Sequence, residues 1–409
     1  MKKIIIMLFV LSVALCGCSV QGDTHSKRND DSIYVKSVWL AYYELQNFTK
    51  GKGESEFKKG ISQAFEKIHK SGFNTVTVQV RPCADSFYPS AYFPTSVYFN
   101  GTQGEEMTYD PLEIMCSLAD KYKLRIEAWI NPYRVSQDND FSKLCDNNIA
   151  LVWHNSEDKS DYVKECDGKL YFNPAYKEVT DLIVNGVKEI VEGYSVDGIH
   201  FDDYFYPTSD SEFDSVSYDT YSKQGGELSL PDWRRNNVSC LIKEVYKTIK
   251  QINPEIKFGV SPASDIKNDY SNLYADIEKW VSEDRYVDYI CPQIYFGFRN
   301  VKQPFMITVK KWRDLLRDSD VELYVGLPLY KCNKIDDYAA SEDEEIKNEF
   351  VDNDDIISRQ ITYLTKIEKI KGYYIFSYSY LIDEELKDEV SLMLEAMQSS
   401  NPLLRQPFL

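Results

Sequence analysis

The chain has 409 residues, with 65 Asp and Glu against 47 Lys and Arg, a formal net charge of −18. That balance excludes a nucleic-acid binder, because phosphate backbones require a basic groove that this chain does not offer. Four histidines accompany nine cysteines, without a Cys-x-x-Cys pair, so neither a zinc-cluster pattern nor any other cofactor motif is present.

Met1-Lys-Lys and the apolar run Ile4 to Leu15 form a segment too short to span a bilayer, and residues 1–17 read as a signal peptide. Leu15-Cys16-Gly17-Cys18 resembles the bacterial lipoprotein processing box. That resemblance implies a lipid on Cys18 and a protein held at the cell envelope, outside the cytoplasm, by a membrane anchor. Residues 18–35 are polar and aperiodic, as a tether should be. Most of the other seven cysteines read as small buried hydrophobes. Cys145 and Cys166, inside one long loop, are the only pair to consider as a disulfide.

From Ser37 onward a strand-then-helix unit recurs. Val38 to Tyr42 is followed by a helix over 57–70, and Phe73 to Arg81 by one over 112–122. Leu124 to Asn131 precedes a helix over 176–192, and the stretch from Asp197 precedes one over 232–252. Ile256 to Ser261, Val287 to Tyr295, Glu322 to Leu327 and Gly372 to Phe376 follow, with helices over 274–281, 308–316, 356–368 and 384–397. Eight alternations predict a (β/α)8 TIM barrel, an α/β fold, as one large domain over 36–398. Helix-to-strand connections are short, whereas 82–111, 132–175, 204–231 and 328–355 are long strand-to-helix loops. In such barrels the C-terminal, elaborated end carries the site. The acidic run 336–355 within the last loop reads as solvated surface.

Side chains alternate across a strand, and helices cover the outside of a barrel. Val76, Val78 and Val80 should therefore face out, leaving Gln79 and Arg81 inside. Ile126, Ala128 and Ile130 leave Glu127, Trp129 and Asn131 inside; Ile290, Pro292 and Ile294 leave Gln293 and Tyr295. On the fourth strand Ile199 and Phe201 share one face, His200 and Asp202 the other. Polar groups converging at one end cost free energy unless they are used or satisfied, which points to a site. Asp202 is the leading catalytic candidate. Asp203 joins it only if the strand stops first. Glu127 is a third candidate acid, deeper, where it could instead pair with Arg81 or His200. His200 reads as an orienting group, Trp129 as core, and Asp232 as a helix N-cap beside Trp233 and Arg235, which could stack on or clamp a ligand.

These stretches carry a resemblance: Asp197-Gly-Ile-His-Phe-Asp-Asp-Tyr-Phe-Tyr-Pro207, Asn131-Pro-Tyr-Arg134, Gln79-Val-Arg-Pro82 with Asp85, Asp232-Trp-Arg-Arg-Asn236 and Pro292-Gln-Ile-Tyr295. From about Val38 to Leu381 the chain resembles the glycosyl hydrolase-like family 10 proteins. The resemblance implies a barrel that cleaves glycans, some relatives being linked to bacterial cell-wall strands. It also implies substrate contacts at Arg81, Asp85, Asn131, Tyr133, Arg134, His200, Tyr204, Trp233, Arg235, Gln293 and Tyr295. Gly198-Ile-His-Phe-Asp202 is more loosely similar to the fourth strand of alpha-amylase-type glycosidases, where the carboxylate is a nucleophile. The chain departs from the family at Glu127, where a histidine is usual, at Pro94-Thr-Ser96 and at Ala263-Ser264, all of which bear on substrate preference.

Glycoside hydrolysis needs one ionised and one protonated carboxyl group, and no metal or cofactor. Asp202 is expected as nucleophile or base, with Asp203, Glu127 or Asp265 as the acid. The rival expectations are a catalytically inactive glycan-binding lipoprotein and a metal-dependent deacetylase or esterase.

Overall fold

A computed structural model describes residues 34–399. The signal peptide, Cys18 and all of the tether but Tyr34 and Val35 lie outside the described residues. Eight parallel strands close into a barrel. They are β1 (Val35–Leu40), β2 (Thr75–Arg81), β3 (Arg125–Ile130), β4 (Gly198–Phe201), β5 (Lys257–Val260), β6 (Tyr289–Ile290), β7 (Glu322–Leu327) and β8 (Ile370–Ile375). β1 pairs with both β2 and β8, so no edge is left open. The covering helices are α1 (Glu54–Lys70), α2 (Pro111–Lys121), α3 (Lys177–Gly193), α4 (Leu230–Ile252), α5 (Ile277–Ser282), α6 (Phe305–Leu315), α7 (Ile356–Leu364) and α8 (Lys387–Ser399). The (β/α)8 barrel expected from the alternation is the fold.

The outer core follows from periodicity. α1 buries Phe57, Ile61, Ala64, Phe65 and Ile68, the i, i+3, i+4 stripe of an amphipathic helix. Val76, Val78, Val80, Ile126, Ala128, Ile130, Ile199 and Phe201 face this layer. α2 starts where Asp110 accepts hydrogen bonds from the backbone N–H groups of Leu112 and Glu113, with Pro111 at the first helical position. A separate apolar cluster fills the lumen: Trp39, Trp129, Tyr289, Tyr324 and Tyr374 with Val35, Ala41 and Cys291. Gly259 makes room for it, since a Cβ there would strike the Tyr289 ring.

Several boundaries move. β1 ends at Leu40, and a helix runs from Tyr42 to Thr49. Buried Glu44 causes the turn. Its carboxylate accepts from Ala41 N, Ser377 Oγ and Ser379 N, which ties the new helix to the end of β8. α4 begins at Leu230, and its cap is Ser229, whose Oγ accepts from Asp232 N. Asp232 is therefore not the N-cap. The loop after β3 folds into a small antiparallel sheet of Arg134–Ser136, Val163–Cys166 and Lys169–Phe172. Cys145 and Cys166 are both free thiols, so the considered disulfide is absent. The acidic run is not all solvated surface: Asp336 is buried against Lys331 at 2.6 Å, and buried Glu349 accepts from Phe298 N and Arg299 N.

Candidate active site

The C-terminal mouth of the barrel holds a cavity of about 430 Å3, within the range of ligand sites. Its walls bring together Asn131's neighbours and seven of the expected residues: Arg134, His200, Asp202, Asp203 and Tyr204, with Gln293 and Tyr295. Trp39, Tyr42, Tyr43, Trp129, Tyr330 and Phe376 supply aromatic faces.

Asp202 is 3 % exposed and half satisfied. Its Oδ2 accepts from Trp129 Nε1 at 3.1 Å and from Asn131 Nδ2 at 2.5 Å. Asn131 is itself held by Gln79, whose Nε2 donates to Asn131 Oδ1 at 2.5 Å. Oδ1 of Asp202 has no hydrogen-bond partner among the described residues. Burial pushes this carboxyl up to about 7, opposed by the Arg134 guanidinium and assisted by Asp203. β4 stops at Phe201, so Asp203 is released from the strand's alternation and lines the same cavity. Burial raises it too, to about 6, while Gln293 and Arg134 favour its charged form. The two acids thus change charge in adjoining ranges. Arg134 is fixed by donating Nε–H to Pro82 O at 2.8 Å and lies over the Tyr204 ring at 5.2 Å.

Beneath them runs an ordered relay. Trp39 Nε1–H donates to His200 Nε2 at 3.3 Å. An indole only donates, so Nε2 is the unprotonated nitrogen and Nδ1–H faces the Tyr289 oxygen at 2.8 Å. Tyr289 donates to Glu127 Oε2 at 3.2 Å. Burial holds His200 neutral, its pKa down at about 3. This imidazole orients its neighbours and carries no proton to substrate at neutral pH.

Other expected residues are elsewhere. Glu127 sits on the lumen floor, does not line the cavity, and accepts from Thr77 Oγ1 at 2.8 Å, Tyr374 at 3.0 Å and Tyr289. It ties β2, β6 and β8 together away from the cavity, not where a catalytic acid was expected. Arg81 does not point inward. A bulge between Gln79 and Arg81 shifts the register, and the guanidinium lies over Phe93 at 4.3 Å, against Gly186 of α3. Asp85 is buried in the loop after β2, accepting from Val97 N and Gln103 Nε2, and burial raises it to about 6. Tyr133 is fully buried in the outer core. Trp233 packs on Tyr218 and Tyr221 of the helix Ser215–Lys223 that precedes α4. Arg235 pairs with Asp232 at 2.6 Å and lies on Tyr270. None of Arg81, Asp85, Tyr133, Trp233 and Arg235 lines the cavity, because each is turned into the surrounding helix or loop layer. Arg234, between the last two, forms a fully buried pair with Asp214 that pins the loop after β4.

Sequence reasoning missed Asp269. It is fully buried on the short helix Ile266–Ser271, both its oxygens lack a partner among the described residues, and burial with the nearby Asp203 raises it to about 9. No polar alternation marked it. Tyr42, Tyr43 and Tyr330 were missed as well, since their placement depends on loops and on the Glu44 anchor.

Residues 34–341 match the glycosyl hydrolase-like 10 family. Glycosyl hydrolase YngK of Bacillus subtilis is 34 % identical over 396 residues, covering 92 % of this chain and 72 % of that protein. Glycosyl hydrolase DigH of Escherichia coli K12 is 32 % identical over 356 residues, covering 82 % and 79 %. Among solved structures, the PgaB (BpsB) glycoside hydrolase domain from Bordetella bronchiseptica aligns with a TM-score of 0.56 at 10 % identity, over 88 % of this chain and 98 % of that one. The catalytic domain of a Paenibacillus polymyxa beta-amylase gives 0.56 at 9 %, over 91 % and 99 %. At such identities these two share the barrel and nothing more is read from them. The family match and the curated relatives together place the protein: it belongs to the glycosyl hydrolase-like 10 family, a glycoside hydrolase class built on a TIM barrel.

Proposed function

We propose that this protein hydrolyses glycosidic bonds in bacterial cell-wall glycan strands, with Asp202 and Asp203 as its carboxyl pair. The carrying observation is the asymmetric Asp202, one oxygen held by two N–H donors and the other unpartnered among the described residues at the wall of the cavity. Oδ1 is the oxygen that attacks the anomeric carbon, or that takes a proton from the water that does, and Asp203 gives its proton to the departing sugar oxygen. Between about pH 6 and 7 the pair carries a single proton, which in the free protein rests mainly on Asp202, the higher of the two, so these roles require it to pass to Asp203 when sugar fills the cavity. Asn131 and Gln79 keep Asp202 in place. Arg134, Gln293, Tyr295 and Tyr204 bind sugar hydroxyl or N-acyl groups, and Trp129, Tyr42 and Tyr330 offer faces on which sugar rings stack. Cys18, as the lipidated residue, would keep the barrel at the envelope, where that polymer is.

The full-length protein should release new reducing ends from peptide-free cell-wall glycan, identified by mass spectrometry, and Asp202→Asn should abolish this. Binding without cleavage would instead support the inactive glycan-binding reading. A Cys18→Ala protein that still partitions with membranes would remove the anchor.

A further inference from the structure

A second cavity, of about 450 Å3, opens beside the active one. One segment reaches both: Ser261 lines the first and Ser264 the second, and three residues of chain span at most about 11 Å. Gln293, in the active cavity, bridges to Ala263 on that same segment. The segment is stiff, because Ser264 Oγ donates to Gln303 Oε1 at 2.7 Å and Trp312 Nε1–H donates to Ser264 O at 2.9 Å.

The new cavity has the opposite electrostatic character to the chain. Lys267, Lys302 and Lys311 line it in a protein of net charge −18. Their ammonium groups have no hydrogen-bonding or ion-pair partner among the described residues. Two carboxylates, Asp265 and Glu278, also line it. Asp265 is occupied, its Oδ1 accepting from the backbone of Lys267 and Asn268 at the start of the helix Ile266–Ser271. At the back lies Thr308, only 2 % exposed, one turn below Lys311 on α6. Its Oγ1 has no partner among the described residues. A buried hydroxyl left unmatched costs free energy that a bound acceptor would return.

We propose that this cavity is a subsite for a carboxylate carried by the glycan strand, further along the polymer from the cleavage point, with Lys302 and Lys311 holding the anion and Thr308 donating to it. The inference rests on the glycan-hydrolase reading and names the chemistry of its substrate: a strand with acid groups, such as the lactyl carboxylates of peptide-free cell-wall glycan. One uncompensated positive charge among five charged groups suits a monoanion better than a dianionic phosphate.

The test compares two probes, a lactyl-carboxylate oligosaccharide and the same oligosaccharide with those carboxylates converted to methylamides, on the full-length wild type and on Lys302→Ala/Lys311→Ala. In the wild type the acidic probe should have the lower KM. The double variant should raise KM for the acidic probe about tenfold, leave kcat and the neutral probe unchanged, and flatten the salt dependence of KM. Thr308→Val, nearly isosteric, should raise the same KM about threefold. Equal KM values for the two probes, or an equal effect of the lysine changes on both, would overturn the subsite. Equilibrium binding of both probes separates the two proposals. Lysine-dependent binding of the acidic probe without turnover would keep the subsite and sink the hydrolase. Turnover without lysine dependence would do the reverse, and absence of both would sink both.

Discussion

Glu127 and Asp202 both enter the barrel from neighbouring strands, and their surroundings treat them differently. Glu127 meets three hydroxyl donors, Thr77, Tyr289 and Tyr374, deep on the lumen floor. Asp202 meets two N–H donors on one oxygen only, and it lines the cavity that Glu127 does not. A saturated buried carboxylate has nothing left to offer a substrate; it ties strands together. A half-saturated one at a cavity wall keeps a reactive oxygen at a fixed place. The lesson is that donor count per oxygen, not burial, separates the chemical acid from the architectural one.

The comparison can be broken in several ways. Asp203→Asn should lower kcat on natural glycan by about 10²–10³-fold, with a smaller loss on substrates whose leaving group needs no proton, in steady-state assays. Loss of the same size on both substrate types would deny it the role of acid.

Asp269 extends the contrast to a buried carboxyl with no hydrogen bond of normal geometry among the described residues and only the Ala263 backbone N–H near enough to favour its charged form. Its folded pKa of about 9 lies above the unfolded value, so its contribution to stability is full below the unfolded pKa and drains away as pH rises towards 9. Asp269→Asn should leave stability unchanged near pH 4 and gain on the order of 2–4 kcal/mol by pH 7–8, read from chemical unfolding at each pH. A gain independent of pH would contradict this.

A smaller and opposite effect belongs to Glu127. Glu127→Gln turns acceptor into donor before three hydroxyls, and should cost about 2–3 kcal/mol of stability while keeping turnover within about tenfold. The smallest effect is electrostatic. Arg134 holds both active-site acids down, so Arg134→Gln should move the bell-shaped pH profile of kcat/KM upward by about half a unit. An unmoved profile would separate Arg134 from the pair.

The barrel was legible because strand period and helix cover are both written in apolar spacing: Ile126, Ala128 and Ile130, or Ile199 and Phe201, declare the outer face. Asn131, His200, Asp202, Gln293 and Tyr295 were placed by the same parity. Arg81 escaped it, because one bulged residue reverses every side chain beyond it and leaves no mark on composition. The aromatic lumen was hidden for another reason. Trp39, Tyr289, Tyr324 and Tyr374 alternate with apolar neighbours, so neither face of their strands looks polar. Tyr133, Trp233 and Arg235 sat in motifs shared with the family. Shared motifs include residues that hold loops, and Arg234 with Asp214 is such a pair.

The most direct test sets the two carboxylates side by side. Asp202→Asn and Glu127→Gln would be assayed as full-length proteins, with folding checked, for kcat/KM on one peptide-free glycan. The account predicts a loss of at least about 10³-fold for Asp202→Asn and less than about tenfold for Glu127→Gln. Retained turnover in Asp202→Asn, or a greater loss in a folded Glu127→Gln, would contradict it.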